Sequence, residues 1–228
     1  PKVSRRATSP KVRAAPICWS LASHHESPME PPGRGARSLR SGRAAQSLDL
    51  LKLNTNELPY GPSPRALDAM RALCDDSLRL YPDPTSLTLR EAIAACYATT
   101  IDRVFVGNGS DEVLAHAFRG LVRDDAPLLF ADVTYGFYPV YCDLFDQPYQ
   151  SIPVGSDFTI DVRDYVVPCG GIAIANPNAN TGIALPLDRI EWLARSQPDC
   201  TIIVDEAYVD FGAASAVSLT ERHDNILV

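Results

Sequence analysis

The chain has 228 residues, nearly half of them hydrophobic, which suits one large α/β domain or two small ones and excludes global disorder. Residues 1–47 carry a net charge of about +7 and residues 48–228 about −14, and so acidic a body would repel the phosphate backbone of a nucleic acid. No apolar run reaches the ~18–20 residues of a membrane span, and the six scattered cysteines, without a CxxC pair or metal-ligand spacing, read as reduced, mostly buried residues of a cytosol-like compartment.

Residues 1–47 are rich in Pro, Ser and Arg and show no hydrophobic period, so they are expected to be a disordered basic arm. The arm faintly resembles an organellar transit peptide. The plainer reading is a linker, or translated sequence upstream of the true start, and the opening on Pro1 rather than Met suggests a chain that is not a complete natural polypeptide. From Leu48 the texture changes. SPRALDAMRALCDD (63–76) offers a Ser N-cap, Pro at the first helical position and apolar residues at helical spacing. SLTLREAIAACYATT (86–100) reads as a second helix, and residues 48–100 are expected to form an amino-terminal segment. Residues 101–228 then repeat one unit. RVFVGNGSDEVLAHAFRGL (103–121) is strand, glycine turn and helix, and PLLFADVTYGFYPVYCDLF (127–145) is strand, loop and helix. GIAIANPNANTG (171–182) leads to the helix LDRIEWLARS (187–196), CTIIVDEAY (200–208) is another strand, and NILV (225–228) begins one more. Short apolar strands alternating with amphipathic helices predict an α/β fold, a mostly parallel sheet with helices on both faces.

In such sheets ligands bind at the carboxyl ends of the strands, and every unusual polar cluster here falls at one. GNGSDE (107–112) turns sharply into a helix whose free N–H groups could hold a phosphate, although an N-capped helix after a tight turn accounts for it too. Tyr135, beside Gly136, could stack on a planar ligand or simply pack. NPNANTG (176–182) could hydrogen-bond a ring hydroxyl, or be an ordinary Asx-rich turn. Asp205 ends an apolar strand, where a carboxylate is costly unless a partner meets it. A metal, an internal Arg or a protonated heterocycle nitrogen would each serve, but no His or second acidic cluster supplies metal ligands. Only the heterocycle also uses a phosphate cradle, a stacking aromatic and a hydroxyl-binding Asn.

Together LKLNTNELPYGPSP (51–64), RLYPDP (79–84), VGNGSDE (106–112), DVTYGFY (132–138), NPNANTG (176–182) and VDEAYVDF (204–211) resemble, in order and spacing, the fold-type I pyridoxal-phosphate aminotransferases. The likeness is to the histidinol-phosphate aminotransferase family, and it covers roughly Leu51 to Val228. The resemblance implies pyridoxal 5'-phosphate as cofactor. It assigns Gly109, Ser110 and Asp111 to the phosphate, Tyr135 to stacking on the ring, Asp205 to the ring nitrogen and Tyr208 to the 3-hydroxyl. It assigns Tyr81 to the cofactor phosphate of a second subunit, implying a homodimer, and Asn56 and Tyr60 to the substrate border. Where this family commonly has NPNNPTG, Ala179 and Asn180 stand here, so the ring-hydroxyl contact falls to Asn178 or is lost.

The chemistry also needs a Schiff-base lysine, and the only lysines are Lys2, Lys11 and Lys52. The family's lysine follows the segment matched by NILV, so the chain is expected to be an inactive fragment whose catalytic lysine lies beyond Val228. The implied reaction exchanges an amino group between glutamate and imidazole-acetol phosphate, in histidine biosynthesis and in the cytoplasm. A sister activity such as threonine-phosphate decarboxylation or aromatic transamination, or a non-catalytic protein that binds the cofactor, stays open.

Overall fold

The computed structural model describes residues 56–228 together with one strand, β1 (Ile17–Ser20), within the expected basic arm. The remaining expectations for the arm, and those for residues 21–55, lie outside the described residues. Two compact units are present. Among the described residues, one holds residues 56–84 and the other holds β1 and residues 85–228.

In the smaller unit, α1 (Pro64–Ala72) starts where its capping signals place it. The Ser63 hydroxyl accepts from the Ala66 N–H at 3.4 Å and Pro64 opens the first turn. The helix stops four residues before the expected Asp76, because Asp75 caps a separate 3-10 turn, Asp76–Arg79, through the Ser77 N–H at 2.8 Å. Nothing on α1 is buried, and Leu58, Tyr60, Met70, Leu73, Leu78, Leu80 and Tyr81 are all exposed.

The larger unit begins with α2 (Leu87–Cys96), which packs Ile93, Ala94 and Tyr97 against Val104 and Val106 of β2 (Val104–Gly107). The Arg90 guanidinium ties them further, donating to the carbonyls of Val104 and Ile101, each at 2.8 Å. The break between units therefore falls after Pro84 and not near residue 100. β1 runs parallel beside β2, Ile17 opposite Val104.

The chain then alternates: α3 (Gly109–Leu121), β3 (Leu128–Ala131), α4 (Tyr138–Leu144), β4 (Tyr149–Ile152), β5 (Gly171–Ala175), α5 (Leu187–Ser196), β6 (Thr201–Asp205) and β7 (Ile226–Leu227). The last five strands form one sheet in the order β4-β3-β5-β6-β7, every pair parallel. Side chains alternate between its faces, as the two-residue period of a strand requires. Leu128, Phe130, Ala173, Ile203 and Leu227 meet α3 and α4 on one face. Leu129, Ile172, Ile174, Ile202 and Val204 meet Ile190, Leu193 and Ala194 of α5 on the other. Helices thus cover both faces, as expected. Because α4 follows β3 on one face and α5 follows β5 on the other, the strand order reverses between β3 and β5. A crevice opens at the carboxyl ends of strands at such a point.

Of the described cysteines, Cys142, Cys169 and Cys200 are buried, whereas Cys74 and Cys96 are exposed. No cluster of three His, Cys, Asp or Glu suited to a metal occurs among the described residues. No helix among them is long and apolar enough to cross a membrane.

Candidate active site

The crevice holds a small cavity lined by Ser110, Tyr135, Ala175, Ala179, Asp205, Ala207 and Tyr208. Four strand exits supply it. Gly109, at φ +86°, takes a backbone conformation that other residues rarely adopt and turns the chain from β2 into α3. Asn108 makes no side-chain cap, so the first N–H groups of this 13-residue helix are left for an anion beside Ser110. Tyr135 leaves β3, Ala175 ends β5, and Asp205 ends β6 directly opposite Ala175.

Asp205 is only partly buried, one edge opening into the cavity. Its Oδ2 accepts the Tyr138 hydroxyl at 2.8 Å and its Oδ1 the Ala207 N–H at 3.1 Å. Burial pushes its carboxyl above the ordinary carboxylate range; the two donors oppose that rise, and Asp111 adds repulsion. Among the described residues no Lys, Arg or His is recorded against it. Asp111 itself accepts two tyrosine hydroxyls, from Tyr135 at 2.8 Å and Tyr141 at 2.9 Å. Burial and these anions hold both phenols well above their usual range, so they stay protonated donors. The cavity thus gathers anions and neutral donors without a cation, and it suits a cationic group next to an aromatic face.

Glu206, adjacent to Asp205 in sequence, turns away. It accepts from the Ser215 hydroxyl at 2.7 Å and from the Ala216 N–H, tying the strand exit to the 3-10 turn Ala216–Leu219.

Sequence reasoning placed Ser110, Tyr135, Asp205 and Tyr208 together, and all four line the cavity. Asn178 does not. It is 3% exposed, its amide donates to the Val133 carbonyl at 2.7 Å, and its Oδ1 accepts the Asn180 N–H at 3.1 Å. It holds the loop after β5 against the loop after β3, and Ala179 takes the place on the wall. Asn56, Tyr60 and Tyr81 lie in the smaller unit, all exposed, Tyr81 fully. Missed altogether were Tyr138 and Tyr141. Their signal was the spacing of Tyr135, Tyr138 and Tyr141, one helical turn apart in YGFYPVY.

The parallel sheet, the crevice at its reversal point and the carboxylate with no recorded cation beside a helix N-terminus define a class: an α/β protein with a candidate ligand site at the carboxyl ends of its strands. Comparison with known proteins narrows it. The model of the aminotransferase class I and II family matches residues 49–228, and the chain belongs to that family. A histidinol-phosphate aminotransferase 2 of Gluconobacter oxydans is 66% identical over 187 residues, covering 82% of this chain and 53% of the relative. Histidinol-phosphate aminotransferase 1 of Pseudomonas aeruginosa is 58% identical over 179 residues, 78% of this chain and 51% of that protein. The chain spans about half the length of the curated relatives it matches. Among solved structures, a proposed histidinol-phosphate aminotransferase from Erwinia carotovora atroseptica superposes with TM-score 0.69 at 27% identity, covering 76% of this chain and 54% of that one. The Sinorhizobium meliloti histidinol-phosphate aminotransferase, solved with pyridoxal-5'-phosphate, shares the fold at TM-score 0.61 and 24% identity, over 66% of this chain and 42% of that one.

Proposed function

We propose that this chain supplies the cofactor-ring and cofactor-phosphate side of a histidinol-phosphate aminotransferase active site, with pyridoxal 5'-phosphate as the cofactor. The observation that carries the reading is Asp205: a carboxylate at the cavity edge, held by two donors, with no cation recorded against it. A protonated pyridine nitrogen is the cation that fits a cavity bounded by Tyr135 and small alanine walls. The names of the relatives, 66% and 58% identical, support histidinol phosphate as the amino donor, and 2-oxoglutarate is the acceptor we assign.

When bound, the cofactor supplies a pyridinium ring that accepts electrons released at the substrate Cα. The chain's own residues have simpler tasks. Asp205 would hold the proton on the ring nitrogen, since a carboxylate beside that nitrogen favours the charged pair. Tyr135 would stack on the ring and Tyr208 would donate to the 3-hydroxyl, while Ala175 and Ala207 line the same cavity with small side chains. The first N–H groups of α3, at Gly109, Ser110 and Asp111, would hold the phosphate. The role expected of Asn178 is better given to shaping the loop, because its amide is already engaged.

We assign Asn56 and Tyr60 to the substrate border and Tyr81 to the cofactor phosphate of a second copy in a homodimer. The exposed apolar run of Leu78, Leu80 and Tyr81 supports an interface there. On this reading the protein would act on small molecules in the cytoplasm.

The test is calorimetric titration of the 228-residue chain with pyridoxamine 5'-phosphate, which needs no lysine to bind. Saturable binding that is lost in Asp205→Ala supports the reading. Absence of binding, or equal binding by the variant, refutes it.

A further inference from the structure

Tyr138 is the first residue of α4 and is fully buried, at 0% exposure. Three rings fence it: Phe118 of α3 at 5.6 Å, Phe130 of β3 at 5.7 Å and Tyr135 at 5.6 Å between centroids. These neighbours pack the phenol closely, and its hydroxyl meets Asp205 Oδ2 at 2.8 Å. The same ring stands nearly perpendicular, at 83°, to the Tyr135 ring that walls the cavity. One side chain therefore touches both the anion and the aromatic wall, and reaches them from the packed face of the sheet.

We propose that Tyr138 is the positioning residue of this site: its hydroxyl holds the Asp205 carboxylate by a hydrogen bond from the packed face of the sheet, and its ring fixes Tyr135, so that carboxylate and aromatic wall keep their spacing. This rests on the cofactor reading given above. The groups facing Asp205 are Tyr135, Tyr138 and Tyr141 from the β3–α4 region, Asp111 from α3, and Glu206 beside it. Every one is an anion or a phenol. A hydrogen bond to a carboxylate stabilises its charged form, and the Tyr138 hydroxyl is the strongest influence keeping Asp205 ionised against its burial. Without it the carboxyl would take up a proton at higher pH and meet the cofactor nitrogen neutral.

The experiment follows the Asp205 carboxyl by NMR in ligand-free protein labelled with 13Cγ-aspartate, the resonance being assigned by its absence in Asp205→Asn. Tyr138→Phe is expected to raise the pH midpoint of that resonance. Incorporation of 3-fluorotyrosine at position 138, a stronger donor of the same shape, is expected to lower it, and it decides the matter if the Phe variant fails to fold. At neutral pH, Tyr138→Phe should bind pyridoxamine 5'-phosphate roughly tenfold more weakly. An unmoved midpoint in both variants overturns the positioning role even where affinity falls, since packing alone would lower affinity without moving it. Failure of the parent chain to bind pyridoxamine 5'-phosphate overturns the cofactor reading, and the positioning role with it.

Discussion

Replacing Asp205 by Asn separates the charge of this residue from its shape. An Asn side chain can keep its one oxygen where Oδ2 accepts the Tyr138 hydroxyl at 2.8 Å and turn its NH2 toward the Ala207 N–H, which now meets Oδ1 at 3.1 Å. The buried hydroxyl then keeps its acceptor, and the exposed Ala207 N–H turns to water. No buried donor is orphaned and no cavity is made, so what is lost is the charge. A hydrogen bond to a charged partner contributes about 1.5–3 kcal/mol, so pyridoxamine 5'-phosphate should bind roughly 10- to 150-fold more weakly at pH 7.

Stability should move the other way. Burial raises the Asp205 pKa in the folded chain, so the ionised group costs free energy at neutral pH, and that cost disappears as pH falls through the folded pKa. The Asn variant should therefore unfold at higher denaturant than the parent at neutral pH, with the gain shrinking on acidification. Calorimetric titration measures the first effect and urea unfolding across pH the second. An Asn variant that binds as tightly as the parent, or is less stable at neutral pH, would refute the idea of an anion awaiting a cation.

Other substitutions probe the frame around the site. Gly170→Ala would place a methyl 2.2 Å from the Arg123 carbonyl oxygen and 2.6 Å from that of Ala126, both backbone, so a loss of about 3 kcal/mol or more in urea unfolding is expected. Asn225→Ala removes one amide that donates to the carbonyls of Ala194, Gln197 and Cys200, which join the end of α5 to the start of β6. A loss of about 1–3 kcal/mol is expected, with the far-ultraviolet spectrum unchanged at 25 °C. Ile190→Ala, at 0% exposure in the face covered by α5, should cost about 2–5 kcal/mol yet leave pyridoxamine 5'-phosphate affinity unchanged in the folded protein.

Where a strand is buried on both faces, its sequence said so: GIAIA and TIIVD are continuous apolar runs, and both became central strands. β4 gave no such signal, because YQSI is an edge strand with three of its four residues exposed and needs no apolar period. The end of α1 was misjudged for a local reason. Apolar spacing continues through Leu73 and Cys74, but Asp75 finds a better use as the cap of the next turn. The unit boundary was misplaced for a distant one. Arg90 looks like a helix surface charge in sequence, and only the fold brings it to the carbonyls before and within β2.

The candidate site shows the same division. Residues that touch the cavity stand at strand ends, where a polar residue after an apolar run is conspicuous, and Ser110, Tyr135, Asp205 and Tyr208 were legible for that reason. Asn178 was legible as a polar strand-end residue but not as a side chain already engaged with Val133, a partner 45 residues away. Tyr138 was hidden by the opposite effect, since a tyrosine among Phe and Tyr at helical spacing reads as core, and core it is, apart from one oxygen atom.

That oxygen bears on how the site can tolerate its own charge. Asp205 could be stabilised permanently by an arginine, but such a partner would occupy the position a ligand cation has to take. Tyrosine donors offer a partial solution: they keep the carboxylate ionised without neutralising it, and leave the remaining attraction for whatever enters the cavity. Two carboxylates and three phenols, Asp205 with Tyr138 and Asp111 with Tyr135 and Tyr141, are arranged in this way. On the proposed reading, the cost is stability forgone in the empty protein, and it would return as affinity for a cationic ring.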